Sequence, residues 1–190
     1  MTCSFEMVGL PGAGKTTFVK NNYATFESLT HIVQSKHPTI TTKIKTRLHE
    51  ALSWRHYGLP PSLRKKLAYR ASFQCAYADK PVFYFDSGLA QCVLEFGIEH
   101  DPAMISHFKD IYKRLLKNTI LLDYTVPSGL AAERELARVP RRFPMLGAQE
   151  IMARYPAAQK AMKAHIFPLA KAVIPVTVSS GDTLTSILKP

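Results

Sequence analysis

The stretch "GLPGAGKTT" at Gly9 to Thr17, directly behind the apolar run "SFEMV" at Ser4 to Val8, leaves the chain few ways to fold. From Gly9 to Thr16 its spacing is G-x-x-x-x-G-K-[ST], the pattern of a phosphate-binding loop set between a strand and a helix. Each residue type has a mechanical reason. Gly9, Gly12 and Gly14 can take backbone angles closed to other residues, so the loop can wrap with its N–H groups around phosphate oxygens. Lys15 supplies a mobile point charge that reaches the β- and γ-phosphates, the Thr16 hydroxyl suits a Mg²⁺ bridging them, and Thr17 can donate to the α-phosphate. "KTTFVKNN" then reads as a helix whose positive N-terminal end faces the same phosphates. Gly9, Pro11, Gly12, Ala13, Gly14, Lys15, Thr16 and Thr17 are therefore the expected binding residues for nucleotide phosphates, with Thr16 on the Mg²⁺. The alternative is a glycine turn that merely carries a lysine.

A chain of 190 residues is long for one small domain and short for two, and 46% hydrophobic content is enough for a substantial core. One domain over 1–190 is expected. No window approaches the roughly 18 consecutive apolar residues of a membrane helix, and no basic region followed by an apolar stretch opens the chain, so a cytosolic protein without a membrane span is expected. Cys3, Cys75 and Cys92 form no C-x-x-C pair and are odd in number, which points to reduced thiols. The formal net charge is +11, and it is unevenly spread. Between Lys36 and Lys80 ten basic residues face only Glu50 and Asp79, a net of +8 in one segment. Such a field favours anionic partners.

Strand-like runs alternate with helix-like ones, which favours an α/β layout with a parallel sheet. The strand candidates are Ser4 to Val8, Leu29 to Val33, Val82 to Phe85, Thr119 to Leu122 and Val173 to Val178. Pro175 cannot donate to a sheet ladder, so the last strand belongs at an edge. The clearest amphipathic helix is "AMISHFKDIYKRLLKN", with Met104, Ile105, Phe108, Ile111, Tyr112, Leu115 and Leu116 on its apolar stripe. Ile44, Leu48 and Leu52 form a narrower stripe, and "SLRKKLAYRASFQCAYA" reads as a further basic helix after Pro60 and Pro61.

A second and a third element carry chemistry. "VFYFD" delivers Asp86 to the carboxyl end of a buried strand, where an open parallel sheet binds its ligands. There Asp86 can orient a Mg²⁺-bound water or accept a proton from an acceptor hydroxyl; its other use is to cap the helix that starts near Ser87. In "AAERELARVPRRF", Arg134 and Arg138 stand four apart on one helix face, with Arg141 and Arg142 just beyond. Forked guanidinium groups suit a phosphoryl group in transfer. The plainer reading is a solvated charged helix in which Glu133 and Glu135 screen the arginines.

Taken in order, "GLPGAGKTT", "VFYFDSGLAQ", "ILLDY" with the arginine segment, and "VIPVTVSSGDTLTSIL" resemble P-loop kinases of the nucleotide and nucleoside kinase type, such as thymidylate and adenylate kinases. The resemblance spans nearly the whole chain. It implies a five-stranded parallel sheet of order 2-3-1-4-5 flanked by helices, an arginine-bearing lid over about 126–142, and an acceptor-binding region over about 36–80. The activity implied is ATP-dependent phosphate transfer to a small molecule: a nucleotide, nucleoside, sugar or other metabolite. Catalytic roles fall on Lys15, Asp86, Arg134 and Arg138, with Thr16 and Asp86 on the metal. One departure stands out: kinases of this type commonly carry an arginine directly after the carboxylate that ends the third strand, and here Ser87 and Gly88 follow Asp86. That counts against a nucleotide acceptor, and a D-x-G sequence there also occurs in P-loop kinases of sugars and metabolites. Asp123 in "LLDY" is expected to be structural. Two other classes stay open: a nucleotide switch, for which no N/T-K-x-D base-reading motif is present, and a nucleic-acid end kinase. The latter would use the basic segment with Trp54, Tyr57, Tyr69, Phe73 and Tyr77. A homodimer is also left open.

Overall fold

The computed structural model describes residues 3–33, 61, 64–65, 81–84 and 88–177. Asp86, Cys75, the five aromatics just named, the Ile44 to Leu52 stripe, all but residues 64–65 of the basic helix after Pro61 and nearly all of the +8 segment lie outside the described residues. Within them the chain runs β1 (Ser4–Val8), α1 (Lys15–Asn21), α2 (Tyr23–Leu29), β2 (His31–Val33), β3 (Val82–Tyr84) and α3 (Leu89–Glu99). It continues through a 3₁₀ segment (Pro102–Phe108), α4 (Lys109–Leu116), β4 (Thr119–Tyr124), α5 (Ser128–Leu136), α6 (Ala148–His165), a short 3₁₀ turn (Phe167–Leu169) and β5 (Ala172–Val176).

The five strands form one sheet of order β2-β3-β1-β4-β5 in which every neighbouring pair is parallel. β1 is the hub: Ser4 pairs with Val82 on one side and with Thr119 on the other. β5, with Pro175, sits at an edge as its proline requires. Every residue of β1 is buried because helices cover both faces, which is why its sequence shows no polar alternation. Phe5 and Met7 pack with Phe18, Val19, Phe26 and Phe83 on the α1–α2 side, where Phe26 and Phe83 stack at 4.3 Å. Val8 joins Leu121 and the residues of α3 to α6 on the other side. β2 is shorter than its candidate run, since α2 extends to Leu29 before the strand begins.

The helix read across "AMISHFKDIYKRLLKN" is split: its first part is the 3₁₀ segment and only Lys109 onward is α-helical. Asp101 caps the segment by accepting from the Ala103 N–H at 2.9 Å, and Ile105 fits over Gly97, where an added Cβ would come within 2.6 Å of it. That docking pins the first turns in the tighter form, while Ile105, Phe108, Tyr112 and Leu116 are buried as the stripe demanded. Cys3 and Cys92 are free thiols, Cys92 buried as a small hydrophobe. No helix among the described residues is long and apolar enough to cross a membrane.

α6, an element not anticipated from sequence, covers the α5 side and buries Ile151, Tyr155, Ala158 and Met162. Exposed Pro156 interrupts its pattern, because the ring removes one helical hydrogen bond and crowds the carbonyl four residues earlier. Pro156→Ala should therefore raise stability by about 1–2 kcal/mol and the melting temperature by a few degrees. An unchanged or lower value in calorimetry would show that the helix already absorbs the ring.

Candidate functional site

Beyond Val8 the chain turns through Gly9 to Gly14 and enters α1 at Lys15. Gly12 and Gly14 have φ of +81° and +98°, the left-handed region that costs a side chain dearly. Space is as limiting as torsion. A Cβ on Gly9 would lie 2.6 Å from the Tyr124 carbonyl oxygen, and one on Gly12 would lie 2.3 Å from that of Ala131. The loop is thus seated against the end of β4 and the body of α5, with the Tyr124 ring packed on Phe18 at 5.2 Å.

From the other side it is braced by α3. The Gly9 N–H donates to Gln91 Oε1 at 3.0 Å, and the Gln91 N–H donates to Oε1 of Glu6, a carboxylate buried in the middle of β1, at 3.0 Å. A Cβ on residue 88 would fall 2.3–2.4 Å from the Glu6 side chain, so α3 can close on Glu6 only because Gly88 is there. The glycine after Ser87, met in sequence as a departure from a family pattern, thus has a local steric reason.

Loop and helices enclose a cavity of ≈ 320 Å³. Pro11, Gly12, Gly14, Lys15 and Thr16 line it from the loop; Gln91 and Glu95 of α3 and Arg134, Arg138 and Arg142 line it from across. Gly9 and Ala13 are buried beneath this lining, Ala13 in the core with Phe18 and Val19, and Thr17 is exposed beside Thr16. Lys15 Nζ donates to the carbonyls of Gly9 at 2.6 Å and Leu10 at 3.0 Å.

The arginine segment needs a correction. α5 ends at Leu136, so Arg138 does not share a helix face with Arg134. Pro140 is the reason, since the residue before a proline is pushed out of helical geometry and Val139 cannot continue the turn. Both arginines reach the cavity all the same. Nor is α5 solvated all round: Ala131, Ala132 and Glu135 are buried, while Leu130, Glu133 and Arg134 are exposed. Glu135 points inward, accepts the Arg142 N–H on Oε1 and sets Oε2 3.8 Å from Arg138 Nη1. Arg142, placed by sequence only just beyond that pair, pairs its Nη2 with Glu95 Oε2 at 2.6 Å, and Glu95 Oε1 accepts from Gln91 Nε2 at 2.6 Å. Gln91 and Glu95 were missed too, although polar residues four apart in the otherwise apolar "GLAQCVLEFGI" are a legible sign of an inward polar contact. Asp123 is buried on β4 opposite Val8 and does not line the cavity. Burial raises its carboxyl above the usual range, with Lys163 and Thr125 pulling it back.

The donor set fits a chain of phosphates: four cations, backbone that only glycine permits, and one hydroxyl at the helix start. Thr16 suits a hard cation as its hydroxyl ligand, and no group of three His, Cys, Asp or Glu among the described residues forms a metal site by itself. Burial pulls the Lys15 ammonium down to about 8; Glu95 and Glu135 resist, while Arg142 and Arg138 add to the fall.

No protein-family model matches this chain, and no curated protein matches it. Solved structures do. A deoxyadenosine kinase from M. mycoides with bound dATP is similar at 14% identity and a TM-score of 0.55, over 97% of this chain and 96% of that one. The same enzyme with the products dCMP and a flexible dCDP gives 12% and 0.53 over the same shares. A shikimate kinase from Bacteroides thetaiotaomicron gives 14% and 0.50 over 98% of each chain. The chain has the α/β fold of P-loop kinases.

The Lys15 shift has a measurable sign. Its charge, present below pH 8, is lost above it in the free protein, while bound phosphate must restore the proton, so anion affinity falls as pH rises. The Kd for ADP should weaken about tenfold between pH 7 and 9, and Lys15→Ala should flatten that profile. Stability moves the other way: between about 8 and the usual value of 10.5 the unfolded chain holds more protons, so the folded state gains as pH rises. Titration calorimetry showing a pH-independent wild-type Kd would remove Lys15 from the phosphate site.

Proposed function

We propose that this chain is an ATP- and Mg²⁺-dependent kinase that transfers the γ-phosphate to a small anionic acceptor. The observation that carries this reading is the convergence of Arg134, Arg138 and Arg142 on the cavity that holds Lys15 and Thr16. A loop that only bound nucleotide would need the lysine; three further guanidinium groups suit charge that spreads over a phosphoryl group during transfer. Lys15 and the arginines hold the β- and γ-phosphates in line, and Thr16 would hold the Mg²⁺, which neutralises phosphate charge when bound. The similar solved structures are a deoxyadenosine kinase and a shikimate kinase, which supports phosphotransfer while leaving the acceptor open.

Asp86 follows β3, the strand beside β1, by two residues and is proposed as the metal-holding or proton-accepting carboxylate. The region 36–80 is proposed as the acceptor site, the stretch over about 126–142, expected as a lid, as the arginine-bearing wall of the phosphate site, and 1–190 as one domain. The +8 charge of 36–80 is the support for an anionic acceptor, since such a field concentrates anions over a Debye length of about 8 Å.

ADP release across nucleosides, nucleotides, sugars, phosphosugars and small organic acids tests the proposal, with Lys15→Ala as the blank. That variant should keep its melting temperature within about 3 °C, the shift that roughly 1 kcal/mol produces at this size, and lose turnover. A wild type no faster than the blank with every acceptor would end the kinase reading. Asp86→Asn separates the two carboxylate roles: a rate partly restored by raised Mg²⁺ marks a metal ligand, and a low rate at any Mg²⁺ marks the base. For the acceptor, KM should rise with salt between low and physiological strength, whereas a neutral preferred acceptor with a salt-insensitive KM would discard the anionic assignment alone.

A further inference from the structure

Resting on the phosphate-transfer reading, we infer that Glu95 is a positioning residue that presets the Arg142 guanidinium at the phosphate loop before any phosphate arrives. Arg142 lies in a stretch between α5 and α6 that has neither helix nor strand to fix it. Instead two carboxylates from two helices hold it: Glu135 of α5 accepts its backbone N–H and Glu95 of α3 accepts its Nη2 at 2.6 Å. An arginine anchored at both ends is not placed by chance packing of a surface loop.

A carboxylate lining an anion cavity repels the ligand unless its charge is taken up. Both oxygens of Glu95 are engaged, Oε1 by Gln91 Nε2 and Oε2 by Arg142, and its side chain is only 13% exposed. Seen from the cavity, the pair therefore presents guanidinium. One N–H of the five is committed to Glu95, which leaves the rest of the fork for phosphate oxygens, so Arg142 need not leave Glu95 to meet the ligand. Gln91 in turn bonds the Gly9 N–H and Oε1 of Glu6. The arginine's position is thereby referenced to β1 and the loop itself, so loop, lysine and arginine move as one frame. Arg138 contrasts: its pairing with Glu135 is 3.8 Å long, against 2.6 Å for Arg142 with Glu95.

Pre-orientation of this kind acts on the transfer step more than on ground-state binding. Glu95→Gln keeps the shape and removes the charge. It should lower turnover about tenfold with the KM for ATP changed less than twofold, and adding it to Arg142→Ala should cost nothing further, because both remove the same preset group. Glu99→Gln, one turn along α3 and exposed, makes the same charge change and should leave turnover as it was. A second readout needs no catalysis: in the ligand-free protein, Glu95→Gln should speed hydrogen exchange over residues 138–146 while the melting temperature stays within about 3 °C. Unchanged exchange over that stretch, or a double variant that loses the product of the two single losses, would overturn the role. If wild type transfers phosphate to nothing, the exchange arm alone decides the anchoring and the kinase reading falls separately. Should Glu95→Gln fail to fold, Arg142→Lys carries the test: an ammonium is a point charge without the planar fork whose one edge holds Glu95 while the other meets phosphate, so it should lose nearly as much turnover as Arg142→Ala, and wild-type turnover would refute the preset fork.

Discussion

Four positive charges share a cavity of ≈ 320 Å³, and the rest of the molecule is arranged to keep them there against their own repulsion. At the separations such a volume allows, like charges repel by on the order of a few kcal/mol at the effective dielectric of a protein surface. Two carboxylates answer this, one on each side. Glu95 sits at the cavity wall and Glu135 is buried behind it, each engaged with the arginine segment. The lowered Lys15 shows the compensation to be partial, since burial and two arginines still outweigh two carboxylates. A site left short of negative charge in this way is complementary to an anion rather than to itself.

The carboxylates stand where they do because of the sheet. β1 lies between β3 and β4, so the loop that follows it opens beside the ends of both neighbours. α3 leaves β3 and must pass over β1, which brings Gln91 to the Gly9 N–H. α5 leaves β4 and passes close enough that the Ala131 carbonyl touches the space beside Gly12. The loop is clasped by two crossovers that belong to different strand pairs, and small residues at 9, 12 and 88 make the approach possible.

Much of this was legible in the sequence. The phosphate loop is a local pattern whose chemistry depends on residues within a few positions of one another, so Gly12, Gly14, Lys15 and Thr16 could be placed without tertiary knowledge. The inner strands were legible as apolar runs, and Pro175 announced the edge. What could not be read were contacts between distant residues: Gln91 on Gly9, Glu95 on Arg142, and a 3₁₀ segment shaped by Ile105 lying over Gly97. The placement of Arg138 failed for another reason. Four-residue spacing implies a shared face only while the helix lasts, and a proline two residues on was enough to end it. Glu135 misled in the same way, since a charged residue among arginines reads as solvated until its helix is seen to bury that face.

The cavity's walls come from residues 11–16, 91–95 and 134–142, and the strands beneath them pair only across long crossovers. Closing loops of that length carries an entropic cost, and the site is complete only once β3, β1 and β4 have met. An anion that bridges Gly12, Lys15 and Arg142 then ties together segments more than a hundred residues apart in the chain. By mass action it stabilises only the fully assembled sheet, and so acts as a cross-link that the chain itself does not contain.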